Sequence, residues 1–142
     1  MTMRRWLLWS WVGVVGPIVG SEAIGGISGL LPHPIYHPVY VILSLGALYA
    51  AVRLRSASTG RVPRALATTL VAVLITHILG QTGQEIAVFL HGGFHAGEHI
   101  FMEPFHLANA ILSAASIGLA LITLTTLSVY ALSTAIRADK TV

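Results

Sequence analysis

Apolar residues fill four long stretches of the chain, separated by short polar links. The stretches run roughly over 6–24, 36–52, 65–90 and 105–135. A helix crossing the hydrocarbon core of a bilayer needs about 17–25 mostly apolar residues, and all four are at least that long. The third and fourth are long enough to tilt or to reach beyond the core. In lipid the backbone must satisfy its own hydrogen bonds, so each stretch is expected to be helical. The pattern predicts an all-α integral membrane protein, a four-transmembrane-helix bundle forming a single membrane domain over 1–142. The links are too short for a separate soluble domain, and no repeat or low-complexity tract interrupts them. The segment 31–38, Leu-Pro-His-Pro-Ile-Tyr-His-Pro, reads as a stiff extended connection, because each proline disfavours helical backbone in the residue before it.

Composition agrees with this picture. Of 142 residues 55% are hydrophobic and only 9% are charged, and mean hydropathy is +0.80. Soluble domains carry about a quarter charged residues. A water-soluble monomer, a disordered chain and a DNA-binding domain are all excluded, so no nucleic-acid partner is expected. There is no cysteine, which removes disulfides, thiolate metal sites and thiol nucleophiles. Arg4 and Arg5 before an apolar run resemble the start of a signal peptide, but the run is too long and lacks a small-residue cleavage site. Trp6, Trp9 and Trp11 are placed as interfacial anchors.

The positions of the basic residues set the expected orientation. Arg4 and Arg5 precede the first stretch, Arg53, Arg55, Arg61 and Arg64 surround the second link, and Arg137 and Lys140 follow the fourth stretch. All lie on one side, which the positive-inside rule makes cytoplasmic. Both termini are therefore expected to be cytoplasmic, and compactness favours a bacterial plasma membrane. Gly13, Gly16 and Gly20 put small residues on one face of the first helix. They suit either a homodimer or close packing within one chain.

The remaining polar groups collect toward the opposite side. Glu22 is near the end of the first stretch, and His33 and His37 lie in or beside the link that leads into the second. His77, Gln81 and Glu85 recur at i, i+4 and i+8 and so share one face of the third helix, with Gln84 beside them. On the fourth helix His106, Asn109, Ser113 and Ser116 share a face. An ionisable group inside a membrane helix marks a functional site by default, although the same residues can serve as interhelical hydrogen-bonding glue. The link 91–99, His-Gly-Gly-Phe-His-Ala-Gly-Glu-His, places His91, His95 and His99 at a spacing that would converge on a metal if helical. With Glu103 they could hold copper, zinc or iron. Gly92, Gly93 and Gly97 argue against a regular helix there.

The second half of the chain resembles a known family. Gly80-Gln81, then Glu85, Phe89-Leu90, a link carrying His95, Gly97, Glu98 and His99, and Asn109 on the last helix are similar in order and spacing to the EXPERA domain family. That family includes the emopamil-binding, sterol double-bond isomerase-like membrane proteins. Glu22, in the context Ile18-Val19-Gly20-Ser21, matches an acid on the family's first helix. The chain departs from the isomerases at Ile18, where they carry a histidine, and at Ile111 and Leu112, near their pocket tryptophan. The resemblance implies a helical membrane scaffold acting on, or binding, a sterol-like lipid.

Three functional expectations result. The first is an integral-membrane isomerase or cyclase working without a cofactor on a lipophilic terpenoid, sterol or polyketide-like substrate. A carboxyl group withdrawn from water favours its neutral form, and a neutral acid can protonate an alkene or open an epoxide while a histidine removes a proton elsewhere. Glu22, Glu85, His77, His37, Gln81 and Asn109 are the candidate catalytic residues. His106, Tyr40 and Gln84 are candidates for binding substrate. The second is a His/Glu metal or haem protein using His91, His95, His99 and Glu103. The third is a non-catalytic lipid-binding module, with membrane lipid as its partner.

Overall fold

A computed structural model describes residues 2–23, 33–95 and 98–139, with side chains described for 2–17, 34–95 and 99–137. Each apolar stretch forms one helix: α1 (Met3–Ala23), α2 (His33–Ala57), α3 (Arg61–Leu90) and α4 (Pro104–Asp139). Two short 3-10 turns, Gly93–His95 and Glu98–Met102, join α3 to α4. Among the described residues, Pro34–Ala57, Arg61–Leu90 and Pro104–Arg137 are each long and apolar enough to cross a membrane, with mean hydropathies of 1.6, 1.7 and 2.0.

One expectation is corrected at the start of α2. The segment 33–38 is helical rather than extended, so α2 begins at His33. Pro34 occupies the first turn, where no intrahelical partner exists for the N–H that proline lacks and its fixed φ suits a helix. Pro38 comes one turn later inside the helix. The other helices also run a few residues past their expected ends. Polar and basic residues continue the helical backbone beyond the apolar windows, as Arg53–Ala57 and Arg61–Arg64 do.

The helices pack side by side in a ring. α1 lies on α2, α2 on α3, α3 on α4, and α4 returns to α1. Close approach depends on small residues. A Cβ on Gly13 would come within 2.8 Å of the Ala47 backbone, so α1 and α2 meet almost backbone to backbone. For Gly13, close packing within the chain is the use the structure makes of the small face; Gly20 lies outside the described side chains. Trp11 Nε1 donates to Ser128 Oγ at 3.0 Å and ties α1 to α4. The α2–α3 turn closes with Gly60 at φ +95° and with the Ser58 hydroxyl donating to the Leu54 carbonyl at 2.8 Å.

The outer surface is apolar. Ile42, Leu79, Ile111, Ile122 and Leu132 are each more than 60% exposed. Many exposed hydroxyls, such as those of Thr69, Thr82 and Thr126, donate to the carbonyl four residues back and so present no unmet polar group. The interior changes character along its length. Toward the α2–α3 turn it is a dry core of Leu54, Leu70, Leu74, Leu124 and Leu127 with Trp6 and Leu7. Toward the 91–103 link it holds His37, His77, Gln81, Gln84, His106 and Ser113, all buried.

Candidate functional site: a buried His–Gln–Ser–His chain

The polar half of the interior is one connected structure spanning three helices. Helical spacing sends His77, Gln81 and Gln84 of α3 into the ring, continuing the line that Leu70 and Leu74 begin. From α2, His37 Nδ1 lies 2.7 Å from Gln81 Oε1. An amide oxygen only accepts, so His37 carries its proton on Nδ1 in this bond. The other end of the amide, Gln81 Nε2, donates to Ser113 Oγ of α4 at 2.8 Å. Ser113 Oγ is in turn 2.9 Å from His77 Nδ1, and the Ser113 carbonyl lies 3.2 Å from the same nitrogen.

Two proton arrangements satisfy this geometry. In one, the Ser113 hydroxyl donates to an unprotonated His77 Nδ1, and every bond points from His37 toward His77. In the other, His77 Nδ1–H is shared between Ser113 Oγ and the Ser113 carbonyl. The two differ in the tautomer of His77 and in the direction of the Ser113 hydroxyl, so the serine is the branch point of the chain. A hydroxyl suits that position because it both donates and accepts.

His106 completes the cluster from α4. Its ring lies 5.7 Å from that of His37 and 5.9 Å from that of Phe101, both edge to face. Tyr36 packs beside His37 at 5.1 Å and beside Tyr40 at 4.8 Å. The N-terminal turn of α4 is built by Glu103, whose carboxylate accepts the His106 backbone N–H at 2.6 Å, with Pro104 next in the first helical turn. This is an N-cap made by a carboxylate at the positive end of the helix. The His106 and Phe105 N–H groups hold the Glu103 carboxyl below the usual carboxylate range.

Glu85 lies one turn beyond Gln81 on α3. Both its carboxylate oxygens are withdrawn from solvent, and neither has a hydrogen-bond partner among the described residues. A buried polar group without a partner is uncommon and calls for an explanation. The side chain of Glu22 lies outside the described residues, as do those of His33 and Glu98.

The structure therefore brings together His37, Gln81, His77 and His106, and adds Ser113, which sequence reasoning placed on the polar face of α4 without a catalytic or substrate-binding role. Its only sequence signal was its place on the α4 stripe with Asn109 and Ser116. Three other candidates are used locally. Asn109 donates to the Phe105 carbonyl at 2.8 Å and lies over Gly83, where a Cβ would overlap its amide. Tyr40 donates its hydroxyl to the Pro17 carbonyl of α1 at 3.3 Å. Gln84 turns back to the Gly80 carbonyl at 3.4 Å.

The histidines of the α3–α4 link are arranged differently. His91, His95 and His99 are exposed. Gly92 and Gly93 adopt φ of +109° and +57°, left-handed values that end α3 and remove the helical register their spacing would need. His91 Nδ1 instead lies 2.9 Å from the Ala87 carbonyl. Among the described residues no three His, Asp or Glu side chains converge as metal ligands. Comparison with protein-family models, with curated proteins and with solved structures gives no match.

Proposed function

We propose that this protein is an integral-membrane acid–base catalyst, an isomerase or cyclase acting on a lipophilic terpenoid- or sterol-like substrate. The observation that carries this reading is the Glu85 carboxyl, withdrawn from solvent and without a partner among the described residues, one helical turn from a hydrogen-bonded chain that ends in a histidine on each side. Packing alone has no use for such a carboxyl, since leaving a polar group unpaired in a dry interior costs free energy. In the proposed reaction Glu85 gives its proton to one carbon of an alkene and generates a carbocation. A histidine of the chain takes a proton from the adjacent carbon, which moves the double bond. The substrate gains one proton and loses one, which leaves Glu85 ionised and the histidine protonated. The cycle closes when that histidine returns its proton to Glu85, while the Gln81 amide orients His37 and Ser113 and relays no proton itself. Attack of an internal double bond on the same cation gives cyclisation instead.

The scaffold is proposed to cross the membrane four times with both termini on the cytoplasmic side. Support comes from the apolar outer surface and from the basic residues gathered at one end. Short links and a compact chain fit a bacterial plasma membrane. The resemblance of Gly80, Gln81, Glu85 and Asn109 to the EXPERA pattern points to a sterol-like substrate class.

The test uses the whole protein in nanodiscs with a panel of lipophilic alkenes and epoxides in deuterated water. Acid–base isomerisation incorporates solvent deuterium next to the migrating double bond, which mass spectrometry reads directly. Incorporation lost in Glu85→Gln, with helical content retained, supports the assignment. Binding of a panel member without deuterium uptake would make the protein a lipid-binding module. Full activity in Glu85→Gln would remove Glu85 as the acid.

A further inference from the structure

A groove runs along the outside of the bundle between α1 and α2, lined by none of the residues of the histidine cluster. It encloses about 680 Å³ and is almost entirely apolar. Gly13, Gly16, Gly46 and Ala47 make its base, and Trp9 and Tyr49 stand at its sides. Gly16 and Gly46 have no neighbouring atom where a Cβ would project, so the space beside them is open.

The groove has a length and a charged end. Trp6 and Pro17 both line it, and eleven residues of helix rise about 16 Å. That matches half of a hydrocarbon core about 30 Å thick, the depth of a single leaflet. The end near Trp6 is basic. Arg53 lies one turn beyond Tyr49 on the same face of α2, and its guanidinium sits over the Trp6 ring, 5.3 Å from the centroid. Arg5 precedes Trp9 by four residues and so continues the groove-lining face of α1. Both arginines are exposed. No acid on their own helices can neutralise them, because α2 has none and the one acid of α1, Glu22, stands at its far end.

We propose that this groove is a binding site for an anionic phospholipid, with one acyl chain lying along Gly13, Gly16 and Gly46 and the phosphate held by Arg53 and Arg5. An apolar channel one leaflet deep takes the chain, and the two arginines at its basic end take the phosphate through charge-assisted hydrogen bonds. The proposal rests on the membrane placement given above.

Of the three tryptophans, Trp6 and Trp9 line the groove, so tryptophan fluorescence reports on it, with Trp11→Phe removing the signal of the one indole that faces α4. The purified full chain is reconstituted in vesicles with acyl-brominated phosphatidylglycerol or phosphatidylcholine, whose bromines quench nearby indoles. Phosphatidylglycerol is expected to quench at several-fold lower mole fraction. Arg53→Gln should weaken that preference about fivefold, as expected for one arginine near a charged headgroup. Arg5→Gln should act in the same direction, whereas Arg61→Gln, a basic residue off the groove, should leave the preference intact. Gly46→Leu should reduce quenching by both lipids with helical content unchanged. Equal quenching by the two lipids overturns the proposal, as does an Arg61→Gln loss equal to that of Arg53→Gln. Quenching that fails because cross-linking shows a second copy seated on α1 and α2 also overturns it. No quenching by any brominated lipid, under conditions where helical content is retained, would overturn the membrane placement as well.

Discussion

Gln81 joins three helices through one side chain, so its replacement tests whether the buried chain is a working unit. Gln81→Leu keeps the size of the side chain and removes both bonds, the 2.7 Å contact with His37 and the 2.8 Å contact with Ser113. Interhelical hydrogen bonds in membrane bundles contribute about 0.6 kcal/mol on average and up to about 1.7. Stranding a buried donor adds about 1–3 kcal/mol, and His37 Nδ1–H is the group most directly affected. The expected loss is therefore about 2–4 kcal/mol, measured by SDS-induced unfolding in mixed micelles followed by circular dichroism. A double-mutant cycle with Ser113→Ala should show a coupling of about 0.6–1.7 kcal/mol, because the two changes delete the same bond. Gln84→Leu is the control. It loses only a 3.4 Å contact to its own helix and should cost clearly less. The chain also predicts that nitrogen-15 NMR finds the His37 proton on Nδ1 and that Gln81→Leu shifts this tautomer equilibrium. A Gln81→Leu protein as stable as the native one, uncoupled from Ser113 and with His37 unchanged, would refute the reasoning.

Other outcomes are equally open to measurement. Gly83→Ala places a methyl on the Asn109 amide and should cost about 1–3 kcal/mol from overpacking; adding Asn109→Ala should recover much of it. Gly13→Leu drives α1 from the Ala47 backbone and should destabilise the α1–α2 pair first, seen as faster proteolysis of α1. The Glu103 carboxyl titrates below the usual range because it caps α4. Its contribution to stability is thus present above the ordinary glutamate pKa of about 4.3 and is lost as pH falls through its depressed value. NMR titration should show the His106 amide signal tracking that midpoint, and Glu103→Gln should abolish the dependence.

How far the fold and site were legible can be judged from particular residues. The four helices were legible because each coincides with a long apolar run, in which a helix satisfies the backbone polar groups within its own segment. The start of α2 was not, because Pro34 and Pro38 are equally compatible with an extended link and with the opening of a helix. The choice between the two depends on tertiary packing, including that of His37 against Gln81. On α3, spacing alone placed His77, Gln81 and Glu85 on a common face. It could not say that Gln81 would direct its oxygen to α2 and its nitrogen to α4, or that Glu85 would find no partner among the described residues.

The order of residues was enough to specify an all-helical chain with long apolar helices, a basic end, and polar stripes on the third and fourth of them. These are local properties, set by hydropathy, charge and a period of 3.6 residues, and they hold whatever the helices touch. Which stripes meet was settled by the packing of the helices. That packing made Ser113 the branch point of the buried chain and turned Asn109 onto Gly83. The α3–α4 link gave Glu103 to the α4 cap and ended the helical register of His91, His95 and His99 at two glycines with left-handed backbone. Each outcome depends on distances between helices far apart in sequence, or on the backbone of a short link, and periodicity along one helix carries neither.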